Sequence, residues 1–159
     1  MARNRRAVKS DAPLAPRNRP MFRRLFDRNK SDGPAILGTE PRATVGLRVT
    51  YVQCANVRDL HPGEIKPVRV RGGHELALAI IDGRVHAFEA YCPHQAWPLK
   101  WSEAETGADG TPNLICGLHG WRFCLDTGVT IDPPSMDDLG VYPTRVTDGV
   151  VYVGLPGVM

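Results

Sequence analysis

The chain has 159 residues, with 20 Lys and Arg, 17 Asp and Glu, and a hydrophobic content of 42%. This length suits one globular domain with an extension and excludes a large two-domain catalytic assembly. No stretch approaches the roughly 18 to 20 consecutive apolar residues of a membrane-spanning helix, so we expect no membrane span. The contents of Gly (16) and Pro (14) favour a turn-rich β fold.

The amino-terminal part is basic and the rest is acidic. Residues 1–43 carry a net charge of +7, whereas the remainder carries −4. The first part contains several prolines and too little apolar surface to offset the entropy lost on ordering, so residues 1–43 are predicted to form a disordered tail. Residues 44–159 are the predicted folded domain. No apolar export signal follows the arginine pairs of the tail, so we expect a cytoplasmic protein.

Residues 21–30 of the tail could form a short amphipathic helix, with apolar side chains opposite arginines. Such a helix could dock on an acidic partner or a membrane surface. A fully solvated tail is the alternative, because isolated helices this short are marginal in water. No basic surface interleaved with aromatic residues continues into the domain, so we expect no nucleic-acid partner.

Beyond the tail, short β-rich runs alternate with turn residues, as in a small antiparallel sandwich or barrel. The predicted strands are residues 47–53, 68–71, 75–81, 84–90, 144–147 and 150–154. Asp82-Gly83 and Asp148-Gly149 each predict a two-residue hairpin turn, because Gly accepts the positive φ that a type I′ turn requires. Residues 92–132 are predicted to be loop-like and too polar to contribute to the core.

Two short motifs in this middle region contain metal-ligand side chains. Cys92-Pro93-His94 and Cys116-Gly117-Leu118-His119 are separated by 21 residues, and each offers one thiolate and one imidazole. Zinc sites with two Cys and two His usually pair Cys with Cys and His with His in sequence. A cluster of two irons and two sulfides fits the mixed motifs better, because each iron can then take one ligand from each motif. Zinc in the same four ligands remains the alternative.

The two motifs, together with HGWRF at residues 119–123 and DTG at 126–128, resemble the Rieske iron–sulfur proteins, especially the soluble Rieske-type ferredoxins. The resemblance implies one 2Fe-2S cluster, with Cys92 and Cys116 on the buried iron and His94 and His119 on the outer iron. It also implies an all-β fold in which an antiparallel sandwich or barrel carries an inserted cluster-binding subdomain at about residues 92–123.

Four positions depart from the Rieske subunits of quinol-oxidising complexes. Trp97 and Leu118 stand where those subunits carry a disulfide, and Trp121 and Phe123 stand where they carry hydroxyl donors to the cluster. Hydrogen bonds stabilise a reduced, more negative cluster, so without the hydroxyls we expect a potential in the low part of the roughly −150 to +300 mV Rieske range. Residues 103–113 are an acidic, Gly-rich surface insertion that could alter docking.

The resemblance therefore implies an electron carrier rather than an enzyme. It would pass single electrons from a flavin-dependent reductase to a terminal oxygenase or a related redox enzyme. The alternative is a small docking or regulatory subunit of a larger redox enzyme, such as nitrite reductase. Cys54 is interpreted as a small buried apolar residue, Cys124 as a spare thiol and His86 as a packed or surface histidine.

Overall fold

The structure is a computed structural model that describes residues 35–135 and 137–157. Most of the predicted tail, including the amphipathic helix proposed for residues 21–30, lies outside the described residues. Within these ranges, no helix has the length and apolar character needed to cross a bilayer.

The described residues form short strands joined by turns and three 3₁₀ turns. The strands are β1 Val49–Asn56, β2 Ile65–Arg69, β3 Glu75–Ile81, β4 Arg84–Glu89, β5 Glu103–Thr106, β6 Pro112–Ile115, β7 Arg122–Cys124, β8 Thr130–Asp132, β9 Val141–Tyr142, β10 Thr144–Thr147 and β11 Val150–Pro156. The 3₁₀ turns are Arg42–Thr44, Val57–Asp59 and Leu99–Trp101.

Three antiparallel sheets organise these strands. The strand orders are β1-β11-β10, β2-β3-β4-β9 and β5-β6-β7-β8. The third sheet is formed by the segment inserted between β4 and β9, which also contains both candidate ligand motifs. The all-β prediction with an inserted subdomain is confirmed.

The hairpin turns confirm the reading of the two Asp-Gly pairs. Asp82 and Gly83 have φ values of 50° and 74°, and Asp148 and Gly149 have 51° and 74°. Positive φ at both central residues is what a type I′ turn requires, and its twist matches that of the flanking strands. These turns set the register of β3 with β4 and of β10 with β11.

Strand β3 is the centre of the domain because it is buried on both faces. Its side chains at 76, 78 and 80 pack in one core with Val151 and Val153 of β11. Its side chains at 77, 79 and 81 pack in a second core with Leu114 and Phe123 of the inserted sheet. Successive side chains of a strand point to opposite faces, so a continuous apolar run joins the two cores.

The prediction for residues 92–132 was wrong. The segment contains the four-stranded β5–β8 sheet, and Leu114, Phe123 and Leu125 are almost completely buried. Its strands are only three or four residues long, too short for the alternation of polar and apolar residues to be visible. The acidic insertion at 103–113 is largely the β5–β6 hairpin, with Glu103 and Glu105 exposed.

The contacts of the β domain begin earlier than the predicted boundary at Thr44. The Leu37 N–H donates to the Gly83 carbonyl over 2.9 Å, and the Val85 N–H donates to the Leu37 carbonyl over 2.8 Å. The Thr39 N–H donates to the Thr144 hydroxyl over 2.8 Å. Such backbone and hydroxyl bonds need no apolar run, which is why composition assigned these residues to the tail.

Candidate metal centre

The first ligand loop is a tight turn that starts at Cys92. The Cys92 N–H donates to the Trp97 carbonyl over 2.8 Å, and the Ala96 N–H donates to the Cys92 carbonyl over 2.8 Å. Ala96 has φ of 51°, a left-handed conformation that costs a residue with a Cβ about 1 kcal/mol or more. The loop therefore curls back on its own cysteine and presents His94 from its middle.

The second ligand loop, between β6 and β7, repeats this arrangement. The Cys116 N–H donates to the Trp121 carbonyl over 2.7 Å, and the Gly120 N–H donates to the Cys116 carbonyl over 2.9 Å. Gly120 has φ of 72°, in the same region as Ala96. Each loop thus has a cysteine at its start, a left-handed residue four positions later and a tryptophan five positions later.

The loops bring three of the predicted ligands into one compact group. The candidate ligand atoms of Cys92, His94 and Cys116 all lie within 4.8 Å of one another. His119 stands beside this group, with its Nδ1 atom 3.4 Å from Nε2 of His94. Both cysteines are 1% exposed, whereas His94 is half-buried and His119 is exposed. The thiols are therefore on the inner side of the site and the imidazoles on the outer side.

The protonation chemistry of these groups fits a metal. Burial raises the pKa of the Cys92 thiol to about 12, with a contribution from the neighbouring Cys116 in the same direction, whereas backbone hydrogen bonds at His94 and Gln95 oppose the shift. A buried thiolate here needs a positive ion close to it, which a metal supplies while it displaces the proton. Burial, and then the neighbouring His119, lowers the pKa of His94. This favours the neutral imidazole, the form that binds metal.

An aromatic contact connects the two loops. The ring of Trp121, in the second loop, stacks on the imidazole of His94, in the first, with centroids 4.2 Å apart and planes within 5° of parallel. Such a face-to-face arrangement restricts rotation of the imidazole, because its ring cannot turn without leaving the indole surface. The motif spacing did not reveal this role of Trp121.

An unpaired donor also lies beside the loops. The Nε1 atom of Trp97 is buried and has no hydrogen-bond partner among the described residues. A methyl group at position 117 would lie 3.6 Å from this nitrogen, so Nε1 is next to the residue that follows Cys116. Buried donors are normally paired, and a sulfur-rich group held by the cysteines would offer acceptors. The donor set and this orphaned N–H both fit an iron–sulfur cluster.

Cys54, Cys124 and His86 are not part of the group of candidate ligands found among the described residues. Cys54 donates from its thiol to the Val151 carbonyl over 3.4 Å, and burial raises its pKa to about 11. Cys124 is half-buried on β7 and forms no disulfide. His86 is 7% exposed on β4, and burial lowers its pKa to about 4. It is therefore a packed histidine rather than a metal ligand.

Comparisons with known proteins point to the same chemistry. Residues 50–143 match the Rieske [2Fe-2S] domain family. The chain is 37% identical over 106 residues to the ferredoxin component of the alkene monooxygenase system of Xanthobacter autotrophicus, covering 67% of this chain and 82% of that protein.

Two solved structures share the fold. One is a putative NADH-dependent nitrite reductase small subunit from Mycobacterium tuberculosis, with a TM-score of 0.62 and 26% identity over 69% of this chain and 98% of that one. The other comes from a complex of reduced oxygenase and oxidized ferredoxin in carbazole 1,9a-dioxygenase, with a TM-score of 0.55 and 27% identity over 69% of this chain and 97% of that one.

Proposed function

The chain belongs to the Rieske [2Fe-2S] domain family, and from that premise we propose that it passes single electrons from a flavin-dependent reductase to a terminal oxygenase or a related redox enzyme. It is an electron carrier of the ferredoxin type rather than a catalytic enzyme. A cytoplasmic location belongs to the same proposal.

The observation that carries the proposal is the division of the site into an inner thiol side and an outer imidazole side. Cys92 and Cys116 would hold one iron of the 2Fe-2S cluster, and His94 and His119 would hold the other. When bound, such a cluster supplies reversible one-electron reduction. Neutral imidazoles in place of two thiolates leave less negative charge at the site, which favours acceptance of an electron.

The surrounding residues would hold this site rigid and keep its inner side dry. The cysteines belong to the same core as Phe123 and Leu99, both fully buried, so water has no access from the protein side. The paired backbone hydrogen bonds of the two loops fix the position of each cysteine in advance. A preformed site needs little rearrangement when its charge changes, which suits a carrier that must accept and release electrons repeatedly.

The exposed side of the site would meet the partners. His119 is exposed and the neighbouring Gly120 is also at the surface, so a partner protein can approach the outer imidazoles closely. The carbazole dioxygenase complex supports an oxygenase as the acceptor, because there a similar ferredoxin is in complex with the oxygenase. The flavin-dependent reductase is proposed as the electron donor only because the resemblance to Rieske-type ferredoxins implies it.

The nitrite reductase small subunit is the second candidate, because that structure has the same fold. A docking subunit would need the fold but not the four ligand side chains. The grouping of Cys92, His94 and Cys116 beside His119 favours the carrier. Copurification with a large catalytic subunit, and no electron transfer to an oxygenase, would favour the docking role.

The test uses the full-length protein purified without oxygen. We expect two irons and two sulfides per chain and, after one-electron reduction, a paramagnetic signal with the histidine nitrogen couplings of a Rieske cluster. We also expect the reduced protein to be reoxidised by a terminal oxygenase and Cys116→Ser to lose the signal, with Cys54→Ser as the matched control. Zinc in place of iron, or coupling to no nitrogen, would refute the assignment.

A further inference from the structure

The indole N–H of Trp97 has no partner in the protein. It is the one buried side-chain nitrogen or oxygen without a hydrogen bond among the residues that the structure describes. A buried donor left unpaired costs about 1 to 3 kcal/mol. Native structures rarely retain such a cost, so an acceptor from a bound group is the expected explanation.

Trp97 lies in the first ligand loop, and its side chain contacts the second. Its carbonyl accepts the hydrogen bond from the Cys92 N–H over 2.8 Å, which anchors it to the first loop. Its ring packs against the core that contains Cys92 and Cys116. A methyl group at position 117 would lie 3.6 Å from Nε1, which places the indole nitrogen against the second loop.

The protein's own polar atoms in this region do not satisfy the indole. The Ser102 hydroxyl oxygen accepts a hydrogen bond from the Gly117 N–H over 3.0 Å. The Trp101 carbonyl faces the α-carbon of Gly117, where a methyl group would lie 2.4 Å from the oxygen. Neither oxygen pairs with Nε1. A trapped water would itself need two to four polar partners, and no second unpaired side-chain atom is buried in the described part of the chain.

We propose that the indole N–H of Trp97 donates a hydrogen bond to a sulfur atom of the bound 2Fe-2S cluster, on the Cys116 side, and so raises the reduction potential. This inference rests on the proposed function, because it needs the cluster to be present. The reduced cluster carries one more negative charge than the oxidised cluster, so a donor stabilises the reduced form more strongly. Removal of the donor should therefore lower the potential.

The proposal gives different tasks to the two tryptophans that occupy equivalent positions in the loops. Trp121 uses its ring face, which stacks on His94. Trp97 would use its N–H. Positions 121 and 123 offer no hydroxyl, since they are Trp and Phe, so a donor from the first loop would partly replace hydrogen bonds missing from the second.

The test removes the donor in two variants. In the first, Trp97 is replaced by 3-benzothienylalanine, in which sulfur stands in place of the N–H while the ring keeps its shape. The second variant is Trp97→Phe. We expect about a fivefold decrease in the equilibrium constant for reduction, which corresponds to about 40 mV at 59 mV per tenfold change. Trp101→Phe is the control, because Trp101 is 66% exposed and its change should leave the potential unchanged.

A second measurement detects the hydrogen bond directly. Electron–nuclear double resonance of the reduced protein, with ¹⁵N in the tryptophan indoles, should show one coupled nitrogen with an exchangeable proton. Trp97→Phe should abolish this coupling and Trp101→Phe should retain it. Should Trp97→Phe fail to hold the cluster, the benzothienylalanine protein still provides the potential and the spectrum.

The two proposals fail in different ways. A wild-type protein without a paramagnetic two-iron signal would refute the proposed function. A wild-type Rieske signal together with an unchanged potential in the benzothienylalanine protein and no indole coupling would refute the role of Trp97 alone. The side chain of Trp97 would then only fill space between the two loops.

Discussion

The α-carbon of Gly117 faces the backbone carbonyl of Trp101 so closely that a methyl group at position 117 would lie 2.4 Å from the carbonyl oxygen. The second ligand loop can approach the Leu99–Trp101 turn only because position 117 has no side chain. The Gly117 N–H also donates to the Ser102 hydroxyl over 3.0 Å. In the second motif, therefore, the residue after the cysteine must be small, in addition to the required positions of the cysteine and histidine ligands.

Gly117→Ala should displace the second loop and impair cluster binding. The obstructing atom belongs to the backbone and cannot rotate away, so overpacking should cost about 1 to 3 kcal/mol. Iron content and the visible absorption spectrum would measure the effect. Ser102→Ala is the matched control, since it removes the hydrogen bond but adds no atom, and the cluster should remain. Full iron content in Gly117→Ala would contradict the close approach.

The left-handed residue of the first loop gives an opposite prediction. Ala96 has φ of 51°, where a Cβ is unfavourable, whereas the equivalent position in the second loop is Gly120. Ala96→Gly should therefore stabilise the holoprotein by about 0.5 to 1 kcal/mol, net of the greater freedom that glycine gives the unfolded chain. The thermal midpoint and the rate of iron loss at fixed temperature would show this. Ala108→Gly, in the exposed β5–β6 turn, should instead lower stability.

The sequence predicted the parts of the fold that depend on local pattern. Strands β3 and β4 and the two Asp-Gly hairpins agree closely with the predictions, because turn chemistry and continuous apolar runs determine them. The strands of the inserted sheet were missed. Arg122 pairs with Asp132 and Phe123 with Thr130, and strands this short are stabilised by such pairing rather than by propensity.

In the candidate site, too, the sequence predicted what local pattern determines and missed what depends on contacts between separate segments. Motif spacing indicated Cys92 and Cys116 with their histidines, and the structure places these residues together. The stacking of Trp121 on His94 and the unpaired nitrogen of Trp97 depend on how side chains from two loops meet. No local pattern specifies such a meeting, although a tryptophan five residues after Cys92 and another five residues after Cys116 are visible in the sequence.

Replacement of an outer imidazole by a thiolate tests the ligand assignment. His119→Cys adds a third thiolate and therefore negative charge, so it should lower the reduction potential or prevent cluster assembly. Cys124→Ser is the control, since Cys124 lies on β7 away from the ligand group and its change should leave the spectrum intact. An unchanged spectrum and potential in His119→Cys would exclude His119 as a ligand. Loss of iron in Cys124→Ser would show that the thiols were misassigned.

His86 is a buried histidine on β4. Burial and, to a smaller extent, the charge of Arg84 lower its pKa to about 4, whereas Asp126 and Asp82 oppose the shift. Between about pH 6.5 and pH 4 the unfolded chain binds a proton at this position and the folded chain does not. Stability is therefore complete above pH 6.5 and falls as the pH is lowered towards 4.

At pH 5 the protonation of His86 in the unfolded chain should cost about 2 kcal/mol of stability. His86→Gln cannot titrate, so the wild-type protein should lose more stability than this variant between pH 7 and pH 5. Differences in thermal midpoint between the two proteins at each pH separate this effect from carboxylate protonation and cluster loss, which both proteins share. A constant difference across that range would mean that the folded protein accommodates a charged His86, in conflict with its burial.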